Sequence, residues 1–211
     1  MSELFRRKRA SAAGPDDADA AVSEDGGGGP TPAGPFDIEE VGDDGVDRVD
    51  LGSLLVAPEP HREVRIQVND ATQAVQSVLI AGEDGAVEVR AFAAPRNGDL
   101  WSEARRQIIA EAAQQGGTAT EQEGRFGTEV LIELSVQLPD GKPGIQHQRL
   151  VGVNGSRWML RGSFVGAPAT DPEAIDAWNE TLAALVVNRG GHAMPPGDAL
   201  PLSLPPDARG G

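Results

Sequence analysis

The 211-residue chain contains no cysteine and no tyrosine. Without cysteine, disulfides and thiolate metal sites are excluded. Without tyrosine, a common proton donor and a common interface anchor are missing. No stretch approaches the roughly 20 apolar residues that span a bilayer. The start, Met1 to Arg9, has the positive end of a secretory signal, but ASAAGPDDAD follows where the apolar segment should be. These absences predict a cytoplasmic protein with no transmembrane segment. Positive charge is scarce as well, with 18 Lys and Arg against 33 Asp and Glu, for a net charge of −15. Phosphate backbones are bound by Lys and Arg that displace counterions, so such a balance disfavours nucleic acid as a partner.

What the chain does have is divided near residue 50. Residues 1–50 hold 13 acidic and 5 basic side chains, a glycine run from Gly26 to Gly29, and little to bury. Ordering a backbone costs about 1–2 kcal/mol per residue, which so polar a segment cannot offset. A disordered acidic leader over 1–50 is expected, with the stretch Phe36 to Val41 either a solvated linker or docked on the folded part. Gly26 to Gly29 lacks the lysine and hydroxyl of a phosphate loop and follows no strand, so it reads as linker.

Residues 51–190 carry the folding patterns. Val64, Ile66 and Val68 alternate with polar residues, Val75 to Ile80 is a second run, and Val87 to Ala91 a third, which together predict an antiparallel meander. A helix follows, capped by Asn97 or Asp99, with Leu100, Trp101, Ala104, Ile108 and Ala112 on one side and Gly116-Gly117 at its end. Thr118 to Glu123 is an edge-strand candidate. Val130, Ile132, Leu134, Val136 and Leu138 alternate along another strand, Pro139 to Gly144 is a loop, and further strands run to Val153 and from Arg157 to Val165. Asn154-Gly155 between them is a strong signal for a two-residue type I′ turn. That turn sets Val151 opposite Trp158 and Ile145 opposite Phe164. The last helix starts at Asp171-Pro172, with Ile175, Trp178, Leu182, Leu185 and Val186 as its buried stripe, and stops near Asn188. Strands, helix, strands, helix predict a single α+β domain, a twisted antiparallel sheet with two helices packed on one face. Residues 191–211 form a Pro/Leu-rich extended tail. Its Pro195, Pro196, Leu200 and Leu202 either lie along the domain or serve as a polyproline-type ligand in trans.

Chemistry is sparse. His61, His147 and His192 show no ligand spacing, no metal or other cofactor is implied, and Gly162 to Gly166 lacks the nucleophile-elbow pattern that presents a strained serine. By strand parity His147 and Arg149 share the face of Ile145, Val151 and Val153, which is assigned to the core. Two readings stand. Arg149 pairs with a carboxylate from a helix or reaches past the sheet margin, or the two residues line a small anionic pocket in which His147 carries a proton. Arg6, Arg7, Lys8 and Arg9 beside Leu4 and Phe5 form a basic-apolar patch suited to weak contact with an acidic partner or membrane surface.

The residues Trp158 to Gly162, Asn188 to Gly190 and Met194 to Leu202, with the basic start and acidic leader, resemble an actinobacterial family, the domain-of-unknown-function family numbered 3710. The resemblance covers roughly residues 45–206 and implies a cytosolic protein, with no activity or catalytic residue attached. The element order is also reminiscent of Mog1/PsbP-like domains, often non-enzymatic accessory or binding proteins, though fold alone is a weak warrant for function. The expectation is a non-enzymatic interaction module that binds another protein. The alternative is a small-ligand sensor or enzyme with a polar pocket at His147 and Arg149.

Overall fold

The computed structural model describes residues 34–69, 71, 74–137 and 141–205. Among them are eleven strands and three helices. In chain order these are β1 (Phe36–Asp37), β2 (Val49–Asp50), β3 (Leu54–Val56), β4 (Glu63–Val68), β5 (Val75–Ala81), β6 (Gly85–Ala93) and α1 (Leu100–Gln114). Then come β7 (Thr118–Gly124), β8 (Gly127–Gln137), β9 (Pro143–Asn154), β10 (Trp158–Gly166), α2 (Ala167–Thr170), α3 (Pro172–Ala183) and β11 (Val186–Val187). The main sheet has seven strands in the order β4-β5-β6-β10-β9-β8-β7, and every pairing in it is antiparallel. Two meanders, β4 to β6 and β7 to β10, are joined through α1 and meet where β10 returns beside β6. The expected α+β class with an antiparallel sheet is what the chain adopts.

The helices do not share a face. Along β10, Trp158, Leu160 and Phe164 pack into one core with Trp178 and Leu182 of α3, while Met159 joins Trp101 and Ala112 of α1 in another. On β9, Val151 belongs to the first core and its neighbour Leu150 to the second. Alternation along a strand sends successive side chains to opposite sides, so α1 and α3 lie on opposite faces. Parity within each strand was readable beforehand, but which helix each face receives depends on sheet order.

Both helices begin as their caps dictate. The Asp99 side chain accepts from the Ser102 N–H, and the Asp171 side chain accepts from the Glu173 N–H with Pro172 next in line. Gly116 takes a left-handed conformation, φ 76°, just past α1. Helix α3 ends at Ala183, earlier than the apolar stripe suggested, because Val186 and Val187 leave it to pair with β3 and β1.

The β9–β10 connection departs from the two-residue turn. Asn154 lies opposite Met159, Val151 opposite Gly162 and Arg149 opposite Phe164. The slip is of four residues, an even number, so every side chain keeps its face. Asn154 is engaged elsewhere: its Oδ1 accepts the Trp101 N–H at 3.1 Å and its Nδ2 donates to Asp99 at 2.9 Å. Gly155 is needed for closeness rather than turn geometry, since a Cβ there would collide with the Trp158 indole.

The folded unit also begins before residue 51. Strand β1 pairs in parallel with β11, and β2 pairs with β3, in a second sheet of order β1-β11-β3-β2. The stretch Phe36 to Val41 is therefore docked at its start. Asp37 accepts hydrogen bonds from Trp158 Nε1 at 2.8 Å and Ser156 Oγ at 3.0 Å. The rest of the expected leader, residues 1–33, lies outside the described residues, as does Leu138.

The tail docks in cis. Strand β5 pairs with β6 only as far as Val89. Beyond that point the tail takes the vacated edge: Gly197 N–H donates to Ala93 O, Ala93 N–H to Asp198 O and Leu200 N–H to Ala91 O, each at 2.8 Å. Leu200 is buried in the first core and Leu202 packs against it from a bridge to Gly52.

Two outcomes follow. Leu200→Ala should lower stability by about 2–5 kcal/mol in urea unfolding, as for a core leucine. Asp37→Ala, which strands the Trp158 indole N–H, should cost about 1–3 kcal/mol. A tail that merely covered the surface would give less than about 0.5 kcal/mol for Leu200→Ala.

Candidate functional site

His147 and Arg149 do share a face, as parity required, but the structure separates their circumstances. Strand β9 is twelve residues long and outruns the cover of α3. Val151 is in the core, Arg149 sits at its border, His147 is partly exposed, and Ile145 is 61% exposed. The assignment of Ile145 to the core is thus corrected, because no helix among the described residues covers the outer part of β9 on this face. His147 lies opposite Glu133 in register, its Nδ1 3.6 Å from the carboxylate, and the contact is an ion pair only when the imidazole is protonated.

Arg149 is sealed. Its Nη1 donates to Glu129 Oε2 at 3.2 Å, and both side chains are buried. Gly124 approaches so closely that a Cβ there would strike the Glu129 carboxylate. The hairpin tip above the pair is anchored by Arg125, which binds Glu180 of α3, and by Phe126, which packs against the first core. Burial pushes the Glu129 carboxyl above its usual range, and the charge of Arg149 pulls the other way. Of the two sequence readings, the ion pair describes Arg149, with a correction: its carboxylate comes from the neighbouring strand β8 and not from a helix. Neither residue lines any of the cavities described here.

Those cavities lie elsewhere. One, of about 520 Å³, opens beside the β9–β10 turn between Asp37, Asn97 and Ser156. Another, of about 270 Å³, lies under the acidic loop Asp43–Asp47. The third, of about 350 Å³, is a groove on the α1 face between the start of α1, strands β6 and β10, and Pro196 of the tail. Its walls are Phe92, Pro95, Leu100, Ala104 and Met159. Asp99 lines it too, but that carboxylate is held below its usual range by hydrogen bonds from Ser102, to which Asn154 adds. Glu103 and Gln107 stand on the exposed rim.

Arg161 is the unusual group in this groove. Its guanidinium carbon lies 5.2 Å from the Phe92 ring centroid, a cation–π distance. Among the described residues it makes no ion pair or hydrogen bond. Burial and the nearby charge of Arg90 lower its pKa from the usual arginine range, against smaller opposing effects of Glu88 and Glu111. Sequence reasoning missed it. The only signal was a cation inside the apolar run Trp158 to Val165, and its neighbours were unknown without the β6–β10 register.

The remaining expected contact residues divide. Pro195 and Pro196 are exposed, Leu200 and Leu202 are committed to the fold, and Arg6, Arg7, Lys8 and Arg9 lie outside the described residues. Among the described residues no cluster of three or more His, Asp or Glu is placed to hold a metal ion, and no helix is long and apolar enough to cross a membrane.

Comparison with known proteins places the chain. Residues 34–210 match the model of the protein family of unknown function DUF3710. The chain belongs to that family. No curated protein matches it. Among solved structures it is similar to the solution structure of cyanobacterial PsbP (CyanoP) from Synechocystis sp. PCC 6803, at 13% identity over 67% of this chain and 92% of that one, with a TM-score of 0.39.

The buried pair gives a test of the site. Arg149→Met should destabilise by about 3–5 kcal/mol, because a buried carboxylate loses its counter-charge, whereas Arg149→Met with Glu129→Leu should recover most of that loss. The single variant should also show a distinctive pH dependence. A carboxyl whose folded pKa is raised contributes stability that is present below its ordinary value and lost as pH rises through the folded one. Without Arg149 the Glu129 pKa rises further, so the deficit should shrink on acidification below neutral pH. Urea midpoints at several pH values check this, and a deficit that grows on acidification would contradict it.

Proposed function

We propose that this family member is a non-enzymatic, cytoplasmic interaction module that binds another protein through the open half of its sheet. One observation carries the reading: on the face that α3 covers over β6 and β10, no described element covers β8 beyond its buried start at Glu129, or the outer part of β9 at His147 and Ile145. That open surface carries exposed Ile145, Glu133 and Thr120, with Leu131 and His147 half-buried among them. Ile145 is the most exposed of the large apolar residues described. A contact centred on an exposed isoleucine and rimmed by polar groups has the anatomy of a protein interface. Strand β7 at the sheet edge carries Glu121 and Glu123, charges that discourage strand addition, so side-chain contact on the face is favoured over backbone pairing at the edge. The basic start, Arg6 to Arg9, offers a second contact for an acidic partner.

Binding rather than turnover is supported by how the polar groups are used. Arg149 and Glu129 hold each other, and Asp99 and Asn154 hold the start of α1. The absence of cysteine throughout suits a reducing compartment.

Photo-crosslinking in cells tests the surface. A crosslinker at Glu133 should yield a discrete heavier adduct that Ile145→Lys abolishes, whereas the same group at Asp176 on the outer side of α3 should yield none. Equal adducts from both positions, or none from Glu133, would remove the reading.

A further inference from the structure

We propose that the groove between the start of α1, β6 and β10 binds a small monocarboxylic acid with an apolar body, its carboxylate seated on Arg161. This site lies on the opposite sheet face from the protein-contact surface above and stands independently of it.

The first argument is charge placement. Arg161 and Arg90 are direct cross-strand partners between β10 and β6. Like charges directly opposite each other destabilise a strand pair. Arg90 is answered by Glu88, with Nε 3.1 Å from Oε1. Arg161 has no such answer: Glu88 and Glu111 are near enough to favour its charge, yet neither makes an ion pair with it among the described residues. A cation drawn partly out of water with no counter-ion is costly, and the cost is relieved when an anion arrives. Ordinary strand chemistry would place a polar neutral or apolar residue here.

The second argument is the shape and lining of the groove. About 350 Å³ is at the small end of ligand sites. Phe92, Pro95, Leu100, Met159 and Pro196 offer apolar contact beside a single cation, which matches a short hydrocarbon or aromatic body carrying one anionic end. The third argument selects the anion. A guanidinium fork matches the two oxygens of a carboxylate. Asp99 and Glu103 border the same groove, and the chain carries a net charge of −15, so a dianionic phosphate meets more repulsion than a monoanion. Because a guanidinium neither gives up its proton nor attacks, Arg161 can bind and orient the acid but not transform it.

Octanoate is the probe. It is titrated into the full chain by calorimetry and by amide shift mapping, with 1-octanol and octyl phosphate in parallel. The expected result is saturable octanoate binding with shifts at Phe92, Leu100 and Met159, and affinity at least ~10-fold lower for 1-octanol, as loss of a charge-assisted hydrogen bond implies. Octyl phosphate should also bind more weakly than octanoate. Arg161→Gln should lose octanoate affinity by a similar factor while melting no lower than the parent, since the variant removes an unanswered cation. Arg161→Lys keeps the charge without the fork and should be intermediate, and it serves if the glutamine variant does not fold. No saturable octanoate binding, equal binding of 1-octanol, tighter binding of octyl phosphate, or unchanged octanoate affinity in whichever Arg161 variant folds would each overturn the proposal.

Discussion

Burial of strand β10 on both faces is the constraint from which the rest of the architecture follows. Trp158, Leu160 and Phe164 need cover on one side and Met159 on the other. A strand dressed this way must be central, so the second meander closes back onto the first at β6, and the two helices must come from opposite sides. The aromatic contact at its heart is Phe164 against Trp178 of α3, edge to face with centroids 6.4 Å apart. The arrangement has a cost in coverage. A helix with its side chains is about 10–12 Å across, roughly two strand spacings. Two full-length helices and the four-residue α2, which packs against α3, cannot roof both faces of seven strands, so α1 covers the β7–β9 side of one face and α3, with the small sheet, the β5–β10 side of the other. The uncovered halves are a consequence of strand count, and they are where unclaimed chemistry collects.

Two arginines mark the margins of that cover, and they were treated differently. Arg149, at the edge of the α3 core, receives Glu129 from the neighbouring strand and a hairpin tip pinned down by Arg125 and Phe126. Arg161, at the edge of the α1 core, receives an aromatic face and a second arginine. Similar position with opposite treatment separates structural from available charge. A margin arginine that only needed to be tolerated could have been paired as Arg149 is. The absence of a charged partner among the described residues, rather than burial alone, makes Arg161 the more informative of the two.

Much of the fold was legible because it rests on local rules. Helix starts at Asp99 and Asp171, the edge strand at Thr118 to Gly124, and the alternation of Val130, Ile132 and Leu134 depend on caps and period, which are written in short stretches. The errors share a different origin. Asn154 and Gly155 are ideal for a tight turn, yet one is recruited by α1 and the other by Trp158, both through contacts made only once the chain is folded. Ile145 has correct parity but no cover among the described residues. The apolar residues after Ala183 fit a helical stripe equally well as a strand, and the open edges of β1 and β3 decided it. The candidate site was the least legible part. His147 and Arg149 were visible as a pair on one strand, whereas Arg161 acquires meaning only beside Arg90, a neighbour supplied by another strand and unknowable without register.

The chain ends bear on how the first core is sealed. Leu51, Leu54, Val187 and Leu200 all bury into it, from segments before the first meander and after the last helix. None of these segments has enough residues to be a stable element alone, as two- and three-residue strands show. They hold because each completes an edge that the others leave open: β1 on β11, β11 on β3, and the tail on the stretch of β6 that β5 abandons. The tail's two prolines next to this edge, Pro195 and Pro196, precede the paired stretch rather than interrupt it, as proline's missing N–H requires. The same tail supplies Pro196 to the Arg161 groove. A segment that reads by composition as a free proline-rich arm therefore contributes at once to the core, to a sheet edge and to the wall of a ligand-sized recess.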